Sequence, residues 1–268
     1  SNRKHLKITN KNLPFIGCDV WNGYEVSALT TNGIPVCGVA KVVYPSDSKY
    51  IVESKSMKLY WNSFNMTNMG DTPSQVAQNV EQTAAKDLSK YLQTDVRVKL
   101  FSCDTDLKNV YNPYTEDKWE RLENNIKEDT SMSVYSEDPT LLKTKNESPK
   151  DPYHIKVMSS LLKSNCRVTS QPDWGDVFIS MEGQWLPDRL ELLKYIVSFR
   201  DECHFHEEIC ETIFKRLLDK FEPRGLMVAC QYARRGGWDI NPIRTTHEHY
   251  IDEYFWDETI PWIKTLRQ

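Results

Sequence analysis

A thiol and a carboxylate seven residues apart, Cys166 and Asp173, follow the amphipathic stretch Ile155 to Leu162, the carboxylate lying within the turn-forming string Gln171-Pro172-Asp173-Trp174-Gly175. Such a pair could act as nucleophile and proton carrier. Burial as an inert small hydrophobe is the commoner fate of a free cysteine. An anionic carboxylate raises a neighbouring thiol's pKa, so Asp173 is expected to exchange protons with Cys166 rather than to activate its thiolate. Glu53-Ser54-Lys55-Ser56-Met57-Lys58-Leu59-Tyr60 puts a carboxylate, two hydroxyls and two ammonium groups at the start of a helix, where free amides favour anions. It reads either as a phosphate site or as a capped, solvated first turn. Arg234-Arg235-Gly236-Gly237 follows a strand with two guanidinium groups and flexible backbone, suited to bidentate phosphate contacts or to an ordinary basic turn. The densest ligand-type cluster runs from Cys203 to Cys210, with His204, His206, Glu207 and Glu208 inside it. Its spacing allows zinc, yet Cys210 adjoins the apolar stripe of Ile209 and Ile213, and no Cys-x-x-Cys or His-Glu-x-x-His pattern supports a metal.

These residues need elements to hold them. Asp19 to Tyr44 alternates on either side of Asn32-Gly33 and predicts a hairpin. Glu53 to Phe64 is expected to be helical. Thr72-Pro73-Ser74-Gln75 supplies an N-cap, a first-turn proline and a capping-box glutamine. Val76, Val80, Ala84, Leu88 and Leu92 then mark one face of a second helix, and Val96, Val98 and Leu100 a strand. The order returns later in the chain. Arg167 to Met181 reads as strands around a turn at Pro172 to Gly175. Leu190, Leu193, Ile196 and Val197 mark a helix, Phe205 to Phe221 a longer one, and Leu226 to Tyr232 a closing strand. Tyr60-x-x-Ser63-Phe64 and Tyr195-x-x-Ser198-Phe199 are equivalently placed in the two runs, which suggests a duplication. The expected organisation is α+β, with a first module over 1–111, a polar connection over 112–152 and a second module over 153–268.

Composition narrows the function classes. The 268 residues are 39% hydrophobic and carry a net charge of −4, which argues against a chain that lives on phosphate backbones. No apolar run approaches a membrane span. Seven scattered cysteines suit a reducing, cytoplasmic compartment. The ten glycines form no dinucleotide fingerprint or P-loop, so a phosphate-bearing cofactor would have to be held by Arg and Lys. The chain opens on Ser1 rather than Met, and N-terminal elements are expected to be missing.

Taken in order, Glu53 to Tyr60, Ser159 to Gly175, Phe205-His206-Glu207 and Arg234 to Pro242 resemble the NADPH-dependent 7-cyano-7-deazaguanine reductases, nitrile reductases of queuosine biosynthesis, in their long two-module form. The similarity runs from about Asn12 to Arg244, apart from the connection. It implies two tandem tunnelling-fold modules, each an antiparallel sheet backed by two helices. It also implies Cys166 as the nucleophile that forms a covalent thioimide and Asp173 as proton donor. Glu53 and Glu207 would grip the substrate, flanked by Val52, Ser54 and His206. Ser54, Lys55, Arg235 and Gly236 would contact NADPH, two equivalents per turnover, with no metal. A cytoplasmic homodimer without direct nucleic-acid or membrane binding is implied as well. Two other readings compete: a zinc-dependent tunnelling-fold hydrolase of the cyclohydrolase type using the Cys203 to Cys210 cluster, and a non-catalytic purine- or pterin-binding module.

Overall fold

Apolar alternation on either side of a tight turn builds the first hairpin, with a bulge in β1 between Gly23 and Val26. Strands β1 (Ile16–Thr30) and β2 (Pro35–Pro45) pair antiparallel from Cys18 opposite Pro45 to Leu29 opposite Pro35. Gly33 closes the turn with φ +79°, a left-handed conformation that glycine adopts without cost. Trp21, Val42 and Tyr44 point to one face of the sheet, Val20 and Val43 to the other. The computed structural model describes residues 2–102, 119–145, 153–255 and 268. Cys103 and the outer parts of the expected connection lie outside the described residues.

Helices α2 (Ser54–Asn62) and α3 (Pro73–Leu92) cover the Trp21 face. A capping box starts α3: the Thr72 hydroxyl accepts from the Gln75 amide at 3.3 Å while the Gln75 side chain accepts from the Thr72 amide. Val76, Val80, Ala84, Leu88 and Leu92 are all buried, as their four-residue spacing requires. A short strand β3 (Asn68–Gly70) lies beside β1, and β4 (Arg97–Ser102) pairs with β2.

The second set of elements is β5 (Glu120–Arg121), β6 (Tyr153–Asn165), β7 (Pro172–Gly183), α4 (Arg189–Ser198), α5 (His206–Phe221), β8 (Gly225–Tyr232), β9 (Trp238–Thr245) and α6 (Glu248–Phe255). The shared string occupies equivalent places. At the ends of α2 and α4, Ser63 and Ser198 each donate to the tyrosine carbonyl three residues back, at 2.6 and 2.7 Å. The tyrosine and phenylalanine rings meet edge to face in both, with centroids 5.4 and 5.3 Å apart.

Two sequence expectations need correction. The second hairpin turns at 166–171, not at Pro172 to Gly175, which belong to β7. Pro172 tolerates the first position of a strand because no ladder donor is needed there, and a bulge between Ser159 and Leu162 interrupts the alternation of β6. The other is β9, a fully buried strand absent from the sequence reading. Asp239, Asn241, Pro242 and Arg244 hid it, since proline in a central strand argues against that assignment.

Strand β9 joins the two halves. It pairs with β1 from Ile16 opposite Thr245 to Gly23 opposite Trp238, giving one nine-stranded sheet in the order β4-β2-β1-β9-β8-β7-β6-β5, with β3 beside β1. The architecture is α+β and mostly antiparallel. Leu6, Ile8 and Phe15, from the start of the chain, are buried with α4 and α5 in the second core, as are Leu122 and Leu142. Among the described residues, no helix is long and apolar enough to cross a membrane.

Candidate active site

Cys166 opens the β6–β7 turn, which folds tightly because the Cys166 amide donates to the Gln171 carbonyl at 2.8 Å and the Ser170 amide to the Cys166 carbonyl at 2.9 Å. The turn aims the Thr169 hydroxyl and the Thr169 and Val168 amides back at the sulfur. Partial burial works against a thiolate, but these donors and the Arg235 guanidinium outweigh it and hold the thiol below its ordinary pKa. Arg235 reaches the thiol from the turn between β8 and β9. It also donates to Asp173 Oδ1 at 2.5 Å, and His206 Nε2 lies 3.5 Å from Asp173 Oδ2. Asp173 is buried, which favours its neutral form, yet the imidazole and the guanidinium hold its carboxyl below the usual carboxylate range. The expected opposition between Asp173 and the thiol is thus neutralised by Arg235, a link that the sequence reading did not contain. Thr169 was also missed. Placing the turn at 166–171 is the signal that would have found it.

The opposite wall is the entry to α2. Val52, Glu53 and Ser54 line the same cleft as Cys166, Asp173, His206 and Glu207, with Val168, Phe205, Trp238 and Ile240 as apolar sides. Glu53 caps α2, its carboxylate accepting from the Ser56 amide at 2.9 Å and the Ser56 hydroxyl at 3.2 Å. Slight desolvation is outweighed by these donors and by the Lys55 amide, so the carboxyl titrates below its ordinary value. Glu207, the second residue of α5, is its opposite. Burial, and then repulsion from Asp19, push its pKa up to about 8. A carboxyl raised in the folded state adds stability that is complete below its unfolded pKa and is lost as pH rises towards the folded value. Thermal unfolding of Glu207→Gln should therefore gain on the unsubstituted chain by on the order of a few kcal/mol between pH 4.5 and 8. Parallel stability curves over that range would exclude a raised carboxyl.

Ser54, Lys55, Arg235 and Gly236 come from two adjacent segments. Gly236 has φ +59°, and a Cβ there would lie 3.3 Å from Lys58 Cδ, so the β8–β9 turn rests on the flank of α2. The hydroxyl, ammonium and guanidinium groups are all donors or cations, a set that fits a phosphate, although the Lys55 and Ser56 amides at the helix start are already taken by Glu53. Arg235 is shared with Asp173.

The Cys203 to Cys210 cluster disperses. Cys203 is exposed, whereas Cys210 is buried and its thiol donates to the Val228 and Pro242 carbonyls at 3.4 and 3.6 Å. His206 faces Asp173, and His204 lies between Glu202 and Glu208 at 3.0 and 3.5 Å. Among the described residues, no three potential ligands are grouped to hold a metal.

Residues 1–100 match the family described as nitrile reductase, 7-cyano-7-deazaguanine-reductase N-term, and residues 172–250 match the QueF-like protein family. Proteins named NADPH-dependent 7-cyano-7-deazaguanine reductase are similar over most of the chain. The one from Colwellia psychrerythraea is 39% identical over 100% of this chain and 87% of its own length. That from Coxiella burnetii is 40% identical over 92% and 83%, and that from Legionella pneumophila 38% over 93% and 82%. A crystal structure of the archaeosine synthase QueF-Like in the apo form aligns at 16% identity and a TM-score of 0.32, covering 38% of this chain and 96% of that one.

Proposed function

Because this chain belongs to the family of NADPH-dependent 7-cyano-7-deazaguanine reductases, and so is an oxidoreductase that reduces a nitrile, we propose that it does so through a covalent thioimide on Cys166. One observation carries this reading: Cys166, Asp173, His206 and Glu207 line a single cleft together with Glu53. A nitrile is a poor hydride acceptor, and addition of sulfur converts it into a more electrophilic imide. The Cys166 sulfur bonds to the nitrile carbon, one C–N π pair moves to nitrogen, and the thiol proton reaches that nitrogen by way of Asp173. NADPH, when bound, supplies hydride to the carbon, and two equivalents with two protons take a nitrile to an amine. Between them the C–S bond breaks, the sulfur leaving as a thiolate that the Thr169 and Val168 amides and Arg235 stabilise.

Glu207 and Glu53 accept from the amino and ring N–H groups of the 2-aminopyrimidinone edge. A donor left unpaired there costs about 1 to 3 kcal/mol. Ser54, Lys55, Arg235 and Gly236 contact NADPH, with Arg235 also paired to Asp173. The product is the aminomethyl compound, an intermediate for tRNA queuosine. We further read the chain as a cytoplasmic homodimer that acts on the free base and binds neither nucleic acid nor membrane directly; six free thiols among the described residues support a reducing compartment. NADPH oxidised per amine formed should approach two. A ratio near one would indicate an imine or aldehyde product and overturn the assignment.

A further inference from the structure

A buried chain of charge lies one helical turn behind Glu207. Arg244, on β9 and only 1% exposed, donates to Asp19 of β1 at 2.8 Å and to Glu211 of α5 at 3.0 and 3.1 Å. Arg3, on the short helix α1 (Asn2–His5), closes the outer end with two bonds to Glu211 at 2.7 and 2.8 Å and one to the Ser46 carbonyl. Asn2 fastens α1 to the same part of α5 through the Glu208 carbonyl and the Thr212 hydroxyl. Both guanidinium groups lie over the Phe15 ring. Glu207 and Glu211 are four residues apart on α5 and both buried, so they share one face. Three carboxyls thus face two guanidinium groups in one desolvated cluster.

We propose that Arg3 and Glu211 are positioning residues for substrate recognition, setting through this cluster the charge that Glu207 presents to the substrate's N–H donors. The inference rests on the reading of Glu207 as a substrate-gripping carboxylate. The groups around Glu207 are Asp19 from β1, Tyr44 from β2, Tyr232 from β8, Arg244 from β9 and Glu211 from its own helix, with Arg3 behind them. The tyrosines stay neutral because burial pushes them well above their ordinary pKa. Burial raises the Asp19 carboxyl too, and the Arg244 guanidinium 2.8 Å away opposes it; with Asp19, Glu211 and both arginines charged the cluster is balanced, and ionising Glu207 leaves one uncompensated negative charge until a cationic or donor-rich substrate edge arrives. Its raised pKa, from burial and the Asp19 charge, accords with that count. Loss of the Arg3 charge adds a negative excess and keeps Glu207 protonated to higher pH. Loss of the Glu211 charge removes one, and lets it ionise earlier.

The two substitutions should therefore act in opposite directions. For Arg3→Gln, the acid limb of KM against pH for 7-cyano-7-deazaguanine should move up by about half to one pH unit, with KM at pH 7 raised about three- to tenfold and kcat within about twofold. Arg3→Lys should restore the limb. Glu211→Gln should move it down. A structural role alone would weaken binding in both variants without opposed shifts, and that result overturns the proposal. Infrared difference titration needs no substrate. The carboxylic acid band that Glu207→Gln removes should shift its midpoint in the same opposed sense. An unmoved midpoint in Arg3→Gln sinks the inference even where Glu211→Gln fails to fold. If the unsubstituted chain does not reduce the nitrile, the functional reading falls separately.

Discussion

Cys166→Ala is expected to carry no adduct after mixing with 7-cyano-7-deazaguanine without NADPH, whereas the unsubstituted chain gains the mass of the whole nitrile compound on intact-protein mass spectrometry. Addition of a thiol to a nitrile loses no atoms, so the mass gain is complete even though no turnover occurs. Turnover by the alanine variant should drop at least about a thousandfold, since no other thiol among the described residues lines the cleft to replace a lost nucleophile. The local electrostatics sharpen the test. Thr169, Val168 and Arg235 hold the thiol below its ordinary pKa despite partial burial, so alkylation of Cys166 should titrate below the ordinary thiol range. An adduct that survives the substitution would falsify the covalent route, and so would an unsubstituted chain that never gains mass.

Asp173→Asn should slow the enzyme about 10²- to 10⁴-fold, the range for loss of a positioned proton carrier, while making the Cys166 thiol more acidic. Both effects come from one contact. Arg235 is shared between Asp173 and Cys166, and an uncharged amide frees its field for the sulfur while removing a nearby negative charge. A more ionised nucleophile in a slower enzyme is the signature of a carboxylate that moves protons. Pre-steady-state mass spectrometry should show slow adduct formation, because the imide nitrogen lacks its proton source. Should the rate hold while thiol acidity rises, Asp173 serves only as a counter-ion. The depressed pKa of Asp173 has a defined sign as well. Its pairing with His206 and Arg235 adds stability above the unfolded carboxyl pKa that is lost as pH falls through the lower folded value.

Local signals were strongest where packing and periodicity agree. Thr72 to Leu92 wrote a cap and a stripe into five positions, and all five are buried. The Tyr60 and Tyr195 strings proved to be equivalent helix ends, because a serine bonding three residues back and an edge-on ring pair are local geometries. The hairpin after Cys166 was misplaced, since a bulge in β6 and a strand-starting Pro172 both imitate a boundary. Strand β9 escaped notice altogether. Its polar side chains are buried because long-range partners satisfy them, as Arg244 is by Asp19 and Glu211.

By itself the sequence determined the α+β class and the order of the elements, because alternation and capping depend on neighbours a few residues apart, while ordered motifs that resemble one family pointed to Cys166, Asp173, Glu53 and Glu207. Only the tertiary structure decided what those groups are chemically. Arg235 lies 62 residues from the aspartate it neutralises, and Arg244 lies 225 from Asp19. Burial beside such partners lowers one carboxyl below its ordinary pKa and raises another above it. Charge in a desolvated cleft is set by whatever the fold brings within a few ångströms, and that distance is not written along the chain.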